Sequence, residues 1–122
     1  MATRGIRGAI TIPSDTPEEI GAATRLLFEA IIEKNPELAP EDIGSILFTV
    51  THDIHSAFPA KAIREMGWQH VPMMCAQEIP VEDSLALCIR VLIHWNIDIP
   101  QDDIVHIYLR EAKKLRPELA EI

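Results

Sequence analysis

The sequence predicts an α+β domain with a five-stranded mixed β-sheet, one long helix and one short helix. Three observations carry that prediction. Five β-rich apolar runs are separated by turn residues. A single long stretch, opened by Thr16-Pro17-Glu18-Glu19, repeats its apolar residues at helical spacing. A second, shorter helix begins at Pro59 and stops at Gly67.

The first strand spans Arg4 to Ile12, with Ile6, Ile10 and Ile12 on one face and Arg7 among Gly5, Ala9 and Thr11 on the other. Pro13-Ser14-Asp15 ends it. Thr16 is the expected N-cap of the long helix, Pro17 its first residue and Glu19 the partner in a capping box. This helix runs to about Lys34, with Ile20, Ala23, Leu27 and Ile31 along its apolar stripe. After the connection from Asn35 to Asp42, Ile43 to Thr51 is apolar on both faces, as expected of a central strand. Thr51 to Ser56 is a polar loop, followed by the short helix, whose C-cap is Gly67. His70 to Cys75 is a third strand, and Pro72 marks it as an edge. Leu85 to Ile97 is the fourth strand, where Cys88, Arg90, Leu92 and His94 share a face. The fifth, Ile104 to Leu109, puts His106 and Tyr108 on one side. From Arg110 the chain carries a helical turn and then Leu115-Arg116-Pro117, with few apolar anchors, so residues 110–122 are expected to be mobile.

At 122 residues the chain is one domain with room for one core. It is 48% hydrophobic and 25% charged, a balance typical of soluble globular proteins, with no apolar run long enough for a membrane span. Its first residues lack the apolar stretch of a signal peptide, and two cysteines make no disulfide framework, so a cytoplasmic address is expected. A formal net charge of -8 argues against nucleic acid or anionic membrane as a partner. Against that balance, Arg7 and Arg90 sit inside apolar strands and Arg116 follows Leu115. One helix covers only one sheet face, which leaves both strand arginines and further apolar residues on the other. Oligomerisation through that second face is expected.

Arg7, Arg90, Tyr108 and Glu78 form the first candidate constellation. Arginines on one face can grip carboxylates bidentately, with a phenol adding a donor. The same pattern also fits inter-strand or intersubunit salt bridges with some of the 19 acidic residues, and the pattern alone leaves both readings open. Cys75 has no histidine tied to it and reads as an inert, buried thiol. His52, Asp53 and His55 resemble a metal motif, but without a third ligand cluster they read as loop residues, and no metal is expected. His94 and His106 read as packing or interface groups. No phosphate loop, Ser-His-Asp set or carboxylate pair is present. A cofactor-free pocket that works by positioning and electrostatics is what remains.

Over nearly its whole length, from Arg4 to about Leu119, the chain resembles the monofunctional chorismate mutases of the homotrimeric pseudo-α/β-barrel class. The resemblance rests on an ordered series: Arg4-Gly5-Ile6-Arg7-Gly8-Ala9, Ala57-Phe58-Pro59-Ala60-Lys61-Ala62, Gln77-Glu78 and Ile89-Arg90-Val91. Pro100-Gln101-Asp102, Ile107-Tyr108-Leu109 and Leu115-Arg116-Pro117 complete it.

The resemblance implies an isomerase that rearranges chorismate to prephenate, a step of the shikimate route to phenylalanine and tyrosine. It also implies a trimer with active sites between subunits. Carried over residue by residue, Arg90 would meet the ether oxygen that gains charge, and Arg7, helped by Tyr108, would hold the side-chain carboxylate. Glu78 and Cys75 would bond the ring hydroxyl, with Ala76 and Gln77 beside them. Phe58, Met73, Met74 and Leu115 would form apolar walls. Ala60, Lys61, Arg64 and Arg116 would lie near the mouth, with Phe58 to Arg64 supplied by the neighbouring subunit. Met74 stands where a small or hydroxylated residue is expected, Glu118 replaces an aspartate, and His70 occupies a position also held by aromatics. Two other classes remain as alternatives. One is a trimeric binding module with the arginine pocket and no catalysis. The other is a metal-dependent hydrolase built on His52 and His55.

Overall fold

The computed structural model describes residues 2–117. Its elements run β1 (Thr3–Thr11), α1 (Pro17–Lys34), β2 (Ile43–Val50), α2 (Pro59–Glu65), β3 (Met73–Gln77), β4 (Cys88–Asn96) and β5 (Ile107–Leu109). Short 3₁₀ turns cover Pro40–Asp42, Gln101–Asp103 and Arg110–Lys114.

The five strands form one mixed sheet in the order β3-β2-β4-β1-β5. β4 pairs antiparallel with both β1 and β2, while β3 and β5 add in parallel at the two edges. Alternation along each strand divides the faces. Ile6 and Ile10 of β1, Ile46 and Phe48 of β2, and Ile89, Ile93 and Trp95 of β4 all join one buried core. α1 closes that core with Ile20, Ala23, Leu27, Phe28 and Ile31, and α2 adds Ala60 and Ile63. The fit is tight at Gly8, where a Cβ would come within 3.1 Å of Ile31 and Val91 side chains. Phe28 stacks on Phe48 at 5.7 Å and meets Trp68 edge-on at 5.8 Å, so aromatic packing joins the helix to the sheet. Among the described residues the opposite face carries no α-helix, and only the 3₁₀ turn Arg110–Lys114 packs on it, through Ala112.

α1 spans the expected residues, and Thr16 caps it by accepting from the Glu19 amide at 3.1 Å. The amide of Thr16 donates to the Ser14 carbonyl instead of to Glu19, so only half of the capping box forms. Gly67, at φ +100, ends α2 in the left-handed region, with its amide on the Arg64 carbonyl at 3.0 Å.

Several strand bounds shift from those expected. β3 begins at Met73, because Pro72 has no amide and contributes only its carbonyl, to the Ile46 amide. His70 therefore lies in the preceding turn. β4 starts at Cys88: Leu87, at φ 50, breaks the extended run and is held by Asp53 Oδ2 on its amide at 3.0 Å. β5 keeps only three residues because side chains take over its earlier pairing. The Asn35 amide group donates to the Val105 carbonyl and its carbonyl accepts from the Val105 amide, both at 3.0 Å. Gln101 bonds both the amide and the carbonyl of Gly5, at 3.1 and 2.8 Å.

The scarcity of anchors expected after Arg110 does not hold for the described part of the tail. Ala112 is fully buried against Ala9, Cys88 and Tyr108, with Leu115 packed alongside. Arg110 Nη1 donates to the Thr11 carbonyl at 2.9 Å, and the Glu111 amide to Thr11 Oγ1 at 3.2 Å. Glu118 lies outside the described residues.

Candidate active site

The uncovered sheet face carries the arginines because of strand register. Arg7 pairs with Leu92 and Ala9 with Arg90, so the two arginines are diagonal neighbours on one face, about 7–8 Å apart at the backbone. Thr49 pairs with Arg90 from the other side, and Tyr108 with Ala9. Arg7, Thr49, Arg90, Leu92 and Tyr108 border a cavity of about 400 Å³, completed by Leu115 and Arg116 from the tail. That volume suits a small molecule.

Glu78, one residue beyond β3, reaches back over the sheet. Its Oε2 lies 2.9 Å from Arg90 Nε and accepts a 2.6 Å hydrogen bond from the Thr49 hydroxyl. The Glu78 amide bonds the Val50 carbonyl at 2.9 Å, which fixes the main chain behind the carboxylate. A guanidinium half open to solvent is thereby oriented through one edge.

His106 Nδ1 accepts the Arg7 amide at 2.9 Å. Burial, then the charges of Arg7 and Arg116, hold its pKa below the ordinary histidine value. Under the cavity, Cys88 is buried and its thiol is pushed up to about 12, chiefly by burial. It is an inert thiol.

The remaining candidates lie elsewhere on the chain. Phe58, Cys75, Ala76 and Gln77 line a second cavity of about 360 Å³ at the β3 edge. Cys75 pairs with Phe48 and packs against the core, so its side chain faces away from Glu78 and Arg90. Met73 also packs against the core, whereas Met74 on the open face is 71% exposed. Lys61 and Phe58 border a smaller hollow between α1 and α2. Ala60 is buried, and Arg64 projects into solvent. Within one chain, then, the arginine group and the Phe58–Cys75 group form two separate concave surfaces.

The sequence series that carried the resemblance is matched by what the chain is similar to. The sequence model of the family described as "Chorismate mutase type I" matches residues 3–119. The chain belongs to the type I chorismate mutase family. Chorismate mutase AroH of Thermus thermophilus is 53% identical over 116 residues, which cover 95% of each chain. Chorismate mutase AroH of Bacillus subtilis (strain 168) is 50% identical over 121 residues, 98% of this chain and 94% of the relative. A solved chorismate mutase from Clostridium thermocellum superposes with a TM-score of 0.87 at 49% identity, covering 90% of this chain and 97% of the other.

In this type I chorismate mutase chain, Leu47 and Thr49 also line the arginine cavity, and sequence reasoning passed over both. Alternation along β2 put Thr49 on the Arg90 face, but only the register showed the two side by side. His55 Nδ1 lies 3.3 Å from Asp15, which also takes the Ser56 hydroxyl at 2.8 Å, so this loop is a structural clasp. Among the described residues no three metal-ligating side chains converge, and no helix is long and apolar enough to cross a membrane.

Proposed function

We propose that the chain is an isomerase that converts chorismate to prephenate in the cavity between Arg7 and Arg90. The observation that carries this reading is one cavity with two diagonal guanidiniums, a phenol and an apolar wall, in an otherwise acidic chain. Chorismate is a dicarboxylate, and its rearrangement is unimolecular, with no proton transfer and no covalent intermediate. The residues therefore need only select a compact conformer and stabilise the charge that develops on the ether oxygen as the C–O bond breaks.

Arg90 is the donor assigned to that oxygen. Glu78 engages its Nε, so the Nη groups are those offered to the substrate. Arg7, supported by Tyr108, takes the side-chain carboxylate, and Glu78 bonds the ring hydroxyl. A 10⁶-fold acceleration corresponds to about 8 kcal/mol. One preorganised donor supplies about 3–4 kcal/mol, and conformer selection together with the carboxylate contacts supplies the rest.

The assembly we infer is a homotrimer with its sites between subunits. The uncovered sheet face supports it, as do Phe58, Met74, Ile79 and Val81, large apolar side chains left 62–82% exposed. In that arrangement the Phe58–Cys75 surface of one subunit, with Lys61 and Arg64, faces the arginine cavity of the next. A cytoplasmic address agrees with two free cysteines.

The test is direct. Chorismate is added to the purified protein and its ultraviolet absorbance is followed, with prephenate measured as product. No decay above the uncatalysed rate, with the ligand still bound, would favour a non-catalytic binding module.

A further inference from the structure

We propose that His106 is a positioning residue for Arg7: its neutral ring is the acceptor that holds the Arg7 main chain beneath the cavity. The proposal rests on reading that cavity as the substrate site. It begins with a gap in the sheet. The parallel ladder between β1 and β5 covers only Gly8 to Ile10 against Ile107 to Leu109. One step earlier, where the ladder has ended, the Arg7 amide meets the His106 ring in place of a main-chain carbonyl, with Nδ1 at 2.9 Å from the Arg7 nitrogen. Arg7, Gly8 and Tyr108 all border the cavity along this seam. A shift of the seam moves the Arg7 guanidinium directly.

The contact dictates the ring's state. An Nδ1 that accepts a hydrogen bond is unprotonated, so the single ring proton resides on Nε2. Protonation at Nδ1 sets N–H against N–H and ends the bond. The surroundings oppose that protonation. The ring is partly buried, and the charges bearing on it among the described residues are two guanidiniums, Arg7 from β1 and Arg116 from the tail. Tyr108, two residues on in β5, adds a neutral phenol, while Asp102 and Asp103 are exposed in the turn before it. The folded state thus favours the neutral ring. The stability this gives is present above the ordinary histidine pKa and is lost as pH falls through and below it.

Two substitutions separate positioning from bulk. His106→Asn keeps a neutral acceptor at the same number of bonds from the main chain, and His106→Ala removes it. With chorismate at pH 7.5, His106→Ala is expected to raise KM about tenfold with a smaller change in kcat, since one hydrogen bond orients a ground-state contact. His106→Asn is expected to restore KM to within about threefold of wild type. Below pH 6 it should rise in KM less steeply than wild type does. Equal damage by both variants, or a wild-type KM in His106→Ala, overturns the proposal. A readout independent of turnover is the ring tautomer in the wild-type protein, read from long-range nitrogen-15 NMR couplings. Nε2–H at pH 7.5 with titration below the ordinary histidine value supports it, and an Nδ1–H tautomer refutes it. A wild-type protein that leaves chorismate unchanged defeats the functional reading instead, and the tautomer measurement then decides the role of His106.

Discussion

Glu78 meets Arg90 at Nε, 2.9 Å away, with the same carboxylate oxygen that takes the Thr49 hydroxyl at 2.6 Å. Three elements, β2, β4 and the residue after β3, thus converge on one oxygen. A guanidinium that is 44% exposed gains an orientation that its own long side chain lacks.

Arg90→Lys is expected to lower kcat by about 10²–10³-fold, because an ammonium cannot occupy both the Glu78 bond and the oxyanion position. Circular dichroism and thermal midpoint should stay near wild type, since Arg90 lies on the exposed face. Turnover within a few-fold of wild type would remove Arg90 from the proposed chemistry.

Thr49→Val keeps the side-chain volume but withdraws one donor from Glu78. We expect kcat to fall about 3–10-fold, the worth of one hydrogen bond. In a cycle with Glu78→Gln the two losses should be less than additive, because both act on the orientation of Arg90. Strict additivity would show that Thr49 acts elsewhere.

Asn35→Ala tests how α1 holds the β5 side of the sheet. The buried amide group bonds the Ile31 and Val105 carbonyls, and its oxygen accepts the Val105 amide. Removing it strands main-chain groups in a partly buried seam, for an expected loss of about 2–3 kcal/mol. Urea unfolding of the variant beside wild type measures this, and a change under 0.5 kcal/mol would contradict it.

The two cysteines should differ in reactivity. Cys88 is buried and its thiol is raised to about 12, by burial first and by Glu78 and Asp53 next, against a lowering by Arg90. At pH 8 it holds almost no thiolate and should ignore a disulfide reagent until the protein unfolds. Native labelling should therefore count at most one thiol per chain, and denatured labelling two. Two native thiols would mean that Cys88 is reached without unfolding.

Much of this molecule was legible in the order of its residues, for identifiable reasons. α1 announced itself through Thr16 and Pro17, signals that act within one turn and need no tertiary partner. The alternation of β1 and β4 put Arg7 and Arg90 on the uncovered face, because a strand's side-chain period is fixed by its backbone. What alternation cannot supply is register. Thr49 beside Arg90, and His106 beneath Arg7, depend on which residue of one strand stands opposite which of another. The packing of Ala112 escaped a linear reading for a similar reason. Ala112 is too small to mark a core position in a linear reading, yet it fills a gap bounded by Ala9, Cys88 and Tyr108. The start of β5 was misread because Asn35 imitates a peptide group, and no local pattern reveals an amide that substitutes for a neighbouring strand.

That imitation has a consequence for how the molecule can vary. A main-chain ladder is indifferent to residue type, so most of the sheet accepts many sequences that keep its alternation. Where Gln101 closes on Gly5 and Asn35 on Val105, the pairing is written in side chains instead. Along this single border identity matters as well as pattern. A chimera that imported a longer, generic fifth strand would keep the hydrophobic code and still lose the fastening that fixes the rim of the arginine cavity.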